Sequence, residues 1–372
     1  MLETIIVVNV ALCIIFGTTL IIRNYDIPRI LVRKTKTLGI VAILILAFAI
    51  NFTPVVSAED SDGDGVEDAL DEWANDKNVS LVVIDALGDR AFCAGGDIQI
   101  LYENGSKGNF QYGQQFWADE YRLNEKIYNY SKPFIAFMQG FTMGGGVGVS
   151  CHGSHRIVGE TSQIAMPECS IGLVPDVGGS YLLAKLEGNL GVFLGATGKR
   201  MKAGDAIFCN FADFFIPEAK WVETKSVLFE TGKVASIEQF VSKTPPSKIK
   251  ENKNIIYDAM TDVGIYTIES CLQNPLFEKE LKNFKSNSPL AVAYTITMLK
   301  DQSVSRKISN ALDKEYQYTA RSQEFGDFQE GIRAAVIDKD RNPKWKHANI
   351  KEVTQEDLDL FLKPMSRKKM ED

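Results

Sequence analysis

An α/β domain, followed by a helical C-terminal region and preceded by two apolar segments, is the fold class this sequence predicts. Three observations carry that expectation. Short apolar runs such as residues 80–85 (SLVVID) and 134–141 (FIAFMQGF) alternate with helical patterns such as residues 116–130, which is the order of βαβ units. Beyond Pro289 the long apolar periodicities are helical. Before residue 59 the chain is more apolar, over longer stretches, than a domain interior requires.

The composition narrows the functional classes. With 372 residues, 45% hydrophobic and 24% charged, the chain has the make-up of an ordinary globular protein with ample length for a buried core. A net charge of −7, with no basic stripe interleaved with aromatics, argues against nucleic acid as a partner. Cys13, Cys93, Cys151, Cys169, Cys209 and Cys271 form no CxxC pair, so the body reads as a reduced, intracellular protein, and the catalytic body suggests cytoplasm or mitochondrial matrix where residues 1–58 suggest membrane or export. Cys151 lies beside His152 and near His155, which admits a metal or thiol–imidazole site as well as ordinary core and helix-surface roles.

Taken in order, residues 1–58 hold two apolar runs, 4–22 and 38–56, of membrane-spanning length. Arg23, Arg29, Arg33, Lys34 and Lys36 lie between them, so a hairpin would keep this basic loop in the cytoplasm. Alternatively Val56-Ser57-Ala58 closes a signal-peptide core. Either reading implies membrane association or export through residues 4–56. Residues 59–71 follow, with Asp60, Asp62, Asp64, Asp68 and Asp71 at positions 1, 3, 5, 9 and 12 and glycine at 6, a spacing that resembles calcium-binding loops. The same residues also read as an acidic linker running into a capped helix at 67–75.

Residues 67–235 form the α/β core. After the strand at 80–85 comes a turn at 87–90, then Phe92-Cys93-Ala94-Gly95-Gly96-Asp97, the helix at 116–130 and the strand at 134–141. Gly144, Gly145 and Gly146 then precede small residues that open a helix, where unpaired backbone N–H groups can approach a ligand oxygen closely. Glu168 and Asp176, each beside a proline, stand among Ile164, Met166, Ile171, Leu173 and Val174. Apolar surroundings tune a carboxylate for acid, base or nucleophilic work, although each acid also reads as a cap beside a turn proline. A helix at 181–194, a turn at 195–202, a helix at 203–208 and a short strand at 212–216 complete the core. Residues 236–363 are a helical region interrupted at Pro245-Pro246, with helices at 289–299 and 304–325, and residues 364–372 form a charged tail.

Several of these motifs together resemble a known family. FCAGGD at 92–97, GFTMGGGVGVS at 140–150, then Met166-Pro167-Glu168 and PDVGG at 175–179, are similar to the crotonase (enoyl-CoA hydratase/isomerase) superfamily, and within it to the 3-hydroxyisobutyryl-CoA hydrolases. DFQEGIRA at 327–334 and IDKDRNPKW at 337–345 resemble the closing segment of the same hydrolases. The resemblance spans about residues 67–363. It implies a spiral core of ββα units with a C-terminal helical region, an acyl-CoA substrate, no required cofactor because CoA belongs to the substrate, and a homo-oligomeric contact through the C-terminal helices.

The same resemblance assigns roles residue by residue. Gly96 and Gly145 match the positions whose N–H groups bind the thioester carbonyl oxygen, a contact whose loss elsewhere costs about 3–4 kcal/mol. Glu168 matches the MPE glutamate. Hydratases carry a second glutamate where this chain has Gly148, and the hydrolases carry an aspartate at the position of Asp176, so the pair implies hydrolysis of a short, branched 3-hydroxyacyl-CoA thioester of valine catabolism. Asp97 is expected to fix the GGD turn. Lys339, Lys344 and Lys346 read either as partners of CoA phosphates or as solvated surface charge.

One departure sets the chain apart. The family's opening β-hairpin, which helps hold CoA, has no counterpart ahead of Ala69-Leu70-Asp71-Glu72-Trp73. An unpaired sheet edge and an incomplete nucleotide pocket are therefore expected, with residues 1–66 deriving from an unrelated membrane or secreted protein. A membrane-anchored binding protein without activity, and a hydratase or isomerase, stand as the competing readings.

Overall fold

A computed structural model of the chain describes the backbone of residues 4–9 and 65–367, and side chains from Leu70 to Arg367. The core is a spiral in which each turn sends one strand into each of two sheets. The first sheet has five parallel strands in the order β1 (Thr4–Asn9), β2 (Val79–Asp85), β4 (Phe134–Met138), β6 (His155–Val158) and β9 (Phe214–Phe215). The second sheet orders β3 (Ala91–Cys93), β5 (Phe141–Met143), β7 (Gln163–Ala165) and β8 (Met201–Lys202), with only β8 antiparallel to its neighbour.

Continuous apolar runs make the first sheet's strands because both faces are covered. Val82 and Ile84 of β2, with Ala136 and Met138 of β4, enter the main core. The alternate residues Leu81, Val83, Ile135 and Phe137 enter a smaller cluster under Trp221 and Leu228. The single strand expected at 134–141 is divided into β4 and β5 at Gly140. There φ is +56°, and a Cβ would lie 2.2 Å from the carbonyl oxygen of Arg90, so the chain can switch sheets only with glycine.

Helices α1 (Gly65–Asn75), α2 (Ile98–Ser106), α3 (Phe110–Tyr128), α4 (Gly145–Ser150), α5 (Gly179–Ala184) and α6 (Leu190–Thr197) cross the core. The helix expected at 181–194 is split into α5 and α6, since Gly188 and Asn189 take φ of +60° and +54°. Helices Pro289–Lys300, Gln302–Arg306 and Ile308–Ser322 form the C-terminal layer, the last packing along α3.

The N-terminal expectations change most. The first apolar run, read as a membrane span, begins instead as β1, which pairs in parallel with β2 from Ile5 opposite Leu81 to Asn9 opposite Asp85. Its sequence, TIIVVN, is rich in the β-branched residues that suit a sheet, and it covers the edge of β2 expected to be unpaired. Among the described residues no helix is long and apolar enough to cross a membrane. The remainder of both apolar runs, and Asp60, Asp62 and Asp64 of the acidic loop, lie outside the described residues. Asp68 lies in α1, and Asp71 on the same helix accepts an ion pair from Lys126 at 2.7 Å. No cluster of metal-ligating side chains occurs among the described residues.

Four of the cysteines, Cys93, Cys151, Cys169 and Cys209, are buried. Burial pushes the thiols of Cys151, Cys169 and Cys209 up to about 11, 12 and 12. Cys151 faces the Ser150 hydroxyl at 3.6 Å, His152 points to a backbone carbonyl and His155 to the Ser154 hydroxyl, so these three residues converge on no common site.

Candidate active site

A cavity of about 230 Å³ opens between the turns that follow β3 and β5, the residues 167–177 and helices α2 and α3, and it gathers the four residues singled out from the core motifs: Gly96, Gly145, Glu168 and Asp176. Gly96 follows β3 in a turn whose next residue, Asp97, expected to fix the GGD turn, accepts a hydrogen bond from Gln99 N at 3.0 Å and so caps α2. Gly145 is the first residue of α4, where the N–H has no partner within the helix. The two turns are in close contact, since a Cβ on Gly145 would lie 3.7 Å from Gly96 N and 3.6 Å from Gly95 Cα. A Cβ on Gly96 would lie 3.0 Å from the Phe116 ring, and one on Gly145 would lie 2.7 Å from the Glu120 carboxylate.

Glu168 opens a short helical turn after Pro167 and is 5% exposed, and neither carboxyl oxygen has a hydrogen-bond partner in the protein. Its Oε1 lies 3.5 Å from the place of a Cβ on Gly144, directly beside the glycine turn. Burial, then the charge of Asp176, drives its pKa well above the usual carboxylate range. Asp176 is 4% exposed and accepts a hydrogen bond from the Tyr121 hydroxyl at 2.9 Å. Burial raises it to about 7, against the lowering effect of that hydrogen bond. The Tyr121 hydroxyl also lies 3.2 Å from Thr319 Oγ1. Two interacting buried carboxyls that cannot both ionise freely can hold a shared proton near neutrality.

Gly148 occupies the next turn of α4, and its environment bears on the chemistry. A Cβ there would lie 2.6 Å from Asn124 Nδ2 and 2.8 Å from Val177 Cβ. No acidic side chain fits at this position without displacing both neighbours. Gly148→Ala should therefore destabilise the fold by about 1–3 kcal/mol, measured by urea unfolding. A neutral substitution would show that this space is open.

Several site residues were not evident from the sequence. Leu101, Phe116, Trp117 and Phe328 wall the cavity, with the rings of Trp117 and Phe328 5.4 Å apart, and Glu120 adds a further carboxylate. Trp117, Tyr121 and Asn124 share the buried face of α3 at helical spacing, which reads as core. The polar Asn124 within that stripe was the available signal, because it is fully buried with both amide atoms unpartnered in the protein. Lys339 and Lys344 are exposed, and Lys346 donates from Nζ to Phe325 O at 2.5 Å.

A family model described as enoyl-CoA hydratase/isomerase matches residues 63–362, through both glycine turns and both buried carboxyls. The chain belongs to this family, the crotonase superfamily. It is 37% identical over 310 residues to a mouse protein named 3-hydroxyisobutyryl-CoA hydrolase, mitochondrial, covering 80% of each chain. A human protein of the same name is 36% identical over 311 residues, again with 80% of each covered. Among solved structures, an enoyl-CoA hydratase from Rhodobacter sphaeroides matches with a TM-score of 0.77 and 47% identity, covering 81% of this chain and 88% of that one. A carnitinyl-CoA dehydratase from Mycobacterium thermoresistibile matches with a TM-score of 0.76 and 34% identity, over 81% and 88%.

The raised carboxyls of this crotonase-family site carry a stability consequence. A carboxyl whose folded pKa exceeds its unfolded value stabilises the fold fully below the unfolded pKa and loses that contribution as pH rises through the folded one. Asp176, raised to about 7, and Glu315, raised to about 8 mainly by burial, both act in this sense. Buried His152, lowered to about 4, acts in the opposite sense, and its effect is complete near its unfolded value of about 6.5. Tm should therefore fall between pH 6.5 and 9, less steeply in Asp176→Asn. A Tm that rises over that interval would contradict the assigned shifts.

Proposed function

We propose that the chain hydrolyses a short, branched 3-hydroxyacyl-CoA thioester, with 3-hydroxyisobutyryl-CoA as the substrate and 3-hydroxyisobutyrate and CoA as products. The observation that carries this reading is the Glu168 and Asp176 pair beside a glycine turn whose Gly148 position is filled by Asn124 and Val177. Addition of water across an enoyl double bond in this family uses a second glutamate, which here has neither a residue nor room. The names of the mammalian relatives support the hydrolase reading, whereas the solved structures carry hydratase and dehydratase names.

In this mechanism the thioester carbonyl oxygen receives the Gly96 and Gly145 N–H groups, which stabilise the negative charge that develops on it. Glu168, in its ionised form, either adds to the carbonyl carbon or removes a proton from a water that does so. The carbon–sulfur bond breaks and CoA leaves as a thiolate. Asp176 orients the water and passes a proton to the departing sulfur, with Tyr121 holding its carboxyl in place. If Glu168 adds directly, a second step brings water to the mixed anhydride, releasing the acid and regenerating the carboxylate. The apolar wall of Leu101, Trp117 and Phe328 and the small cavity suit a short acyl chain.

Free-thiol release from 3-hydroxyisobutyryl-CoA, measured beside hydration of crotonyl-CoA, tests the assignment. Thiol release without hydration is the expected result, and hydration alone would move the chain to the hydratases. Because Glu168 must be ionised and burial raises its pKa, kcat should climb with pH over a range that lies above the ordinary carboxylate pKa. A profile flat across that range would remove Glu168 as base or nucleophile.

A further inference from the structure

Directly after Asp176 the backbone enters a conformation that a valine rarely adopts. Val177 has φ of +52°, and among the described residues it is the only β-branched residue with positive φ. Such backbone costs on the order of 1–3 kcal/mol and persists only when its surroundings over-determine it. Val177 is 1% exposed, and its Cβ reaches the space beside Gly148.

Two buried side chains from distant parts of the sequence bond to this turn. His152, 5% exposed, bonds through Nε2 to Val177 O at 2.8 Å. Since a carbonyl only accepts, Nε2 carries the ring proton, and burial keeps the ring neutral. Glu315, 0% exposed, accepts from Gly178 N at 2.8 Å with one oxygen, and from Ser180 N at 3.0 Å and Ser180 Oγ at 2.5 Å with the other. Gly179 N closes the turn on Asp176 O at 2.7 Å. Neither His152 nor Glu315 lines the cavity.

We propose that His152 and Glu315 are positioning residues, which clamp the strained Val177 turn and so set the Asp176 carboxyl against Glu168 and Tyr121. With the clamp released, Val177 relaxes toward negative φ, rotating the preceding peptide and the Asp176 side chain with it. The charged and titratable groups acting on the pair are Glu120 and Glu315, which raise Glu168, Glu315 also interacting with Asp176, and Tyr121, which bonds Asp176. The kinetic part of this proposal rests on the hydrolase reading.

Its test compares His152→Leu, which cannot donate, with His152→Gln, whose Nε2 amide stands where the imidazole Nε2 stood. The leucine variant should lose at least tenfold in kcat with KM changed less than threefold, and the glutamine variant should return to within threefold of the wild type. Glu315→Gln, whose amide can accept at only one of the two positions where the carboxyl now accepts, should lower kcat at least threefold with KM changed less than threefold. An unchanged kcat in the leucine variant, a loss that glutamine does not rescue, or a rise in KM matching the fall in kcat would overturn the clamp. Should the leucine variant lack a cooperative melting transition, Ser180→Ala carries the test: it deletes one of the three bonds to Glu315 and should lower kcat at least threefold, and no effect would overturn the proposal.

A readout without turnover separates this proposal from the functional one. In substrate-free protein labelled with ¹³C-aspartate, and with Asp176 assigned through Asp176→Asn, the carboxyl should titrate at a different midpoint in the His152 and Glu315 variants from the wild type. If the midpoint moves but no thioester is hydrolysed, the functional reading fails and the clamp stands. If it is the same in all variants, the clamp fails whatever the activity.

Discussion

Glu168→Gln should lower kcat for thioester hydrolysis by about 10²–10⁴-fold, the range expected when a group that transfers protons or attacks carbon is lost. Thermal stability above pH 8 should stay level or rise. Both parts follow from the same observation, that this carboxyl is buried without a hydrogen-bond partner and pays for its ionisation with desolvation. The amide has nearly the same shape and no charge, so the cavity keeps its walls and the CoA ester its place. Loss of activity with retained stability is the signature of a site selected for chemistry over folding. Thiol-release kinetics together with a melting curve check it, and a variant that keeps near-normal turnover would remove Glu168 from the mechanism.

Asp176→Asn should cost about 10²-fold or more in kcat, and combining it with Glu168→Gln should cost little beyond the single glutamate change. Residues that act as one unit give strongly non-additive losses. The contact between the Asp176 carboxyl and the Tyr121 hydroxyl predicts that Tyr121→Phe follows in the same direction by a smaller factor, since the phenol orients the carboxyl without exchanging protons with substrate. Single-turnover thiol release in the four enzymes completes the cycle. Additive losses would mean that the two acids act on separate steps.

Much of this arrangement was legible in the sequence, for identifiable reasons. Strands such as 80–85 and the glycine turns declare themselves through local composition, and the carboxyls through their apolar neighbours. The clamp residues do not. His152 read as a possible metal or thiol partner because Cys151 and His155 are near it in sequence, yet its contact is to Val177 O, 25 residues on. Glu315 sits in an amphipathic helical pattern where an acid ordinarily faces solvent, and only the packing of that helix along α3 and the Asp176 turn buries it. The edge strand was missed for another reason. A run of β-branched residues long enough to span a membrane contains the strand Thr4–Asn9, and its pairing partner, β2, lies about 75 residues away in the sequence.

Concealment of the thiols determines how readily the proposed reaction can be followed. A disulfide reagent such as Ellman's, added to detect released CoA, would also titrate any reactive cysteine of the enzyme. Four of the five described cysteines are buried, three with thiols held largely protonated at neutral pH, and Cys271 is the partly exposed one. Among the described residues the native fold thus presents a small, constant background, and a sudden rise in colour without substrate would report unfolding of the core itself.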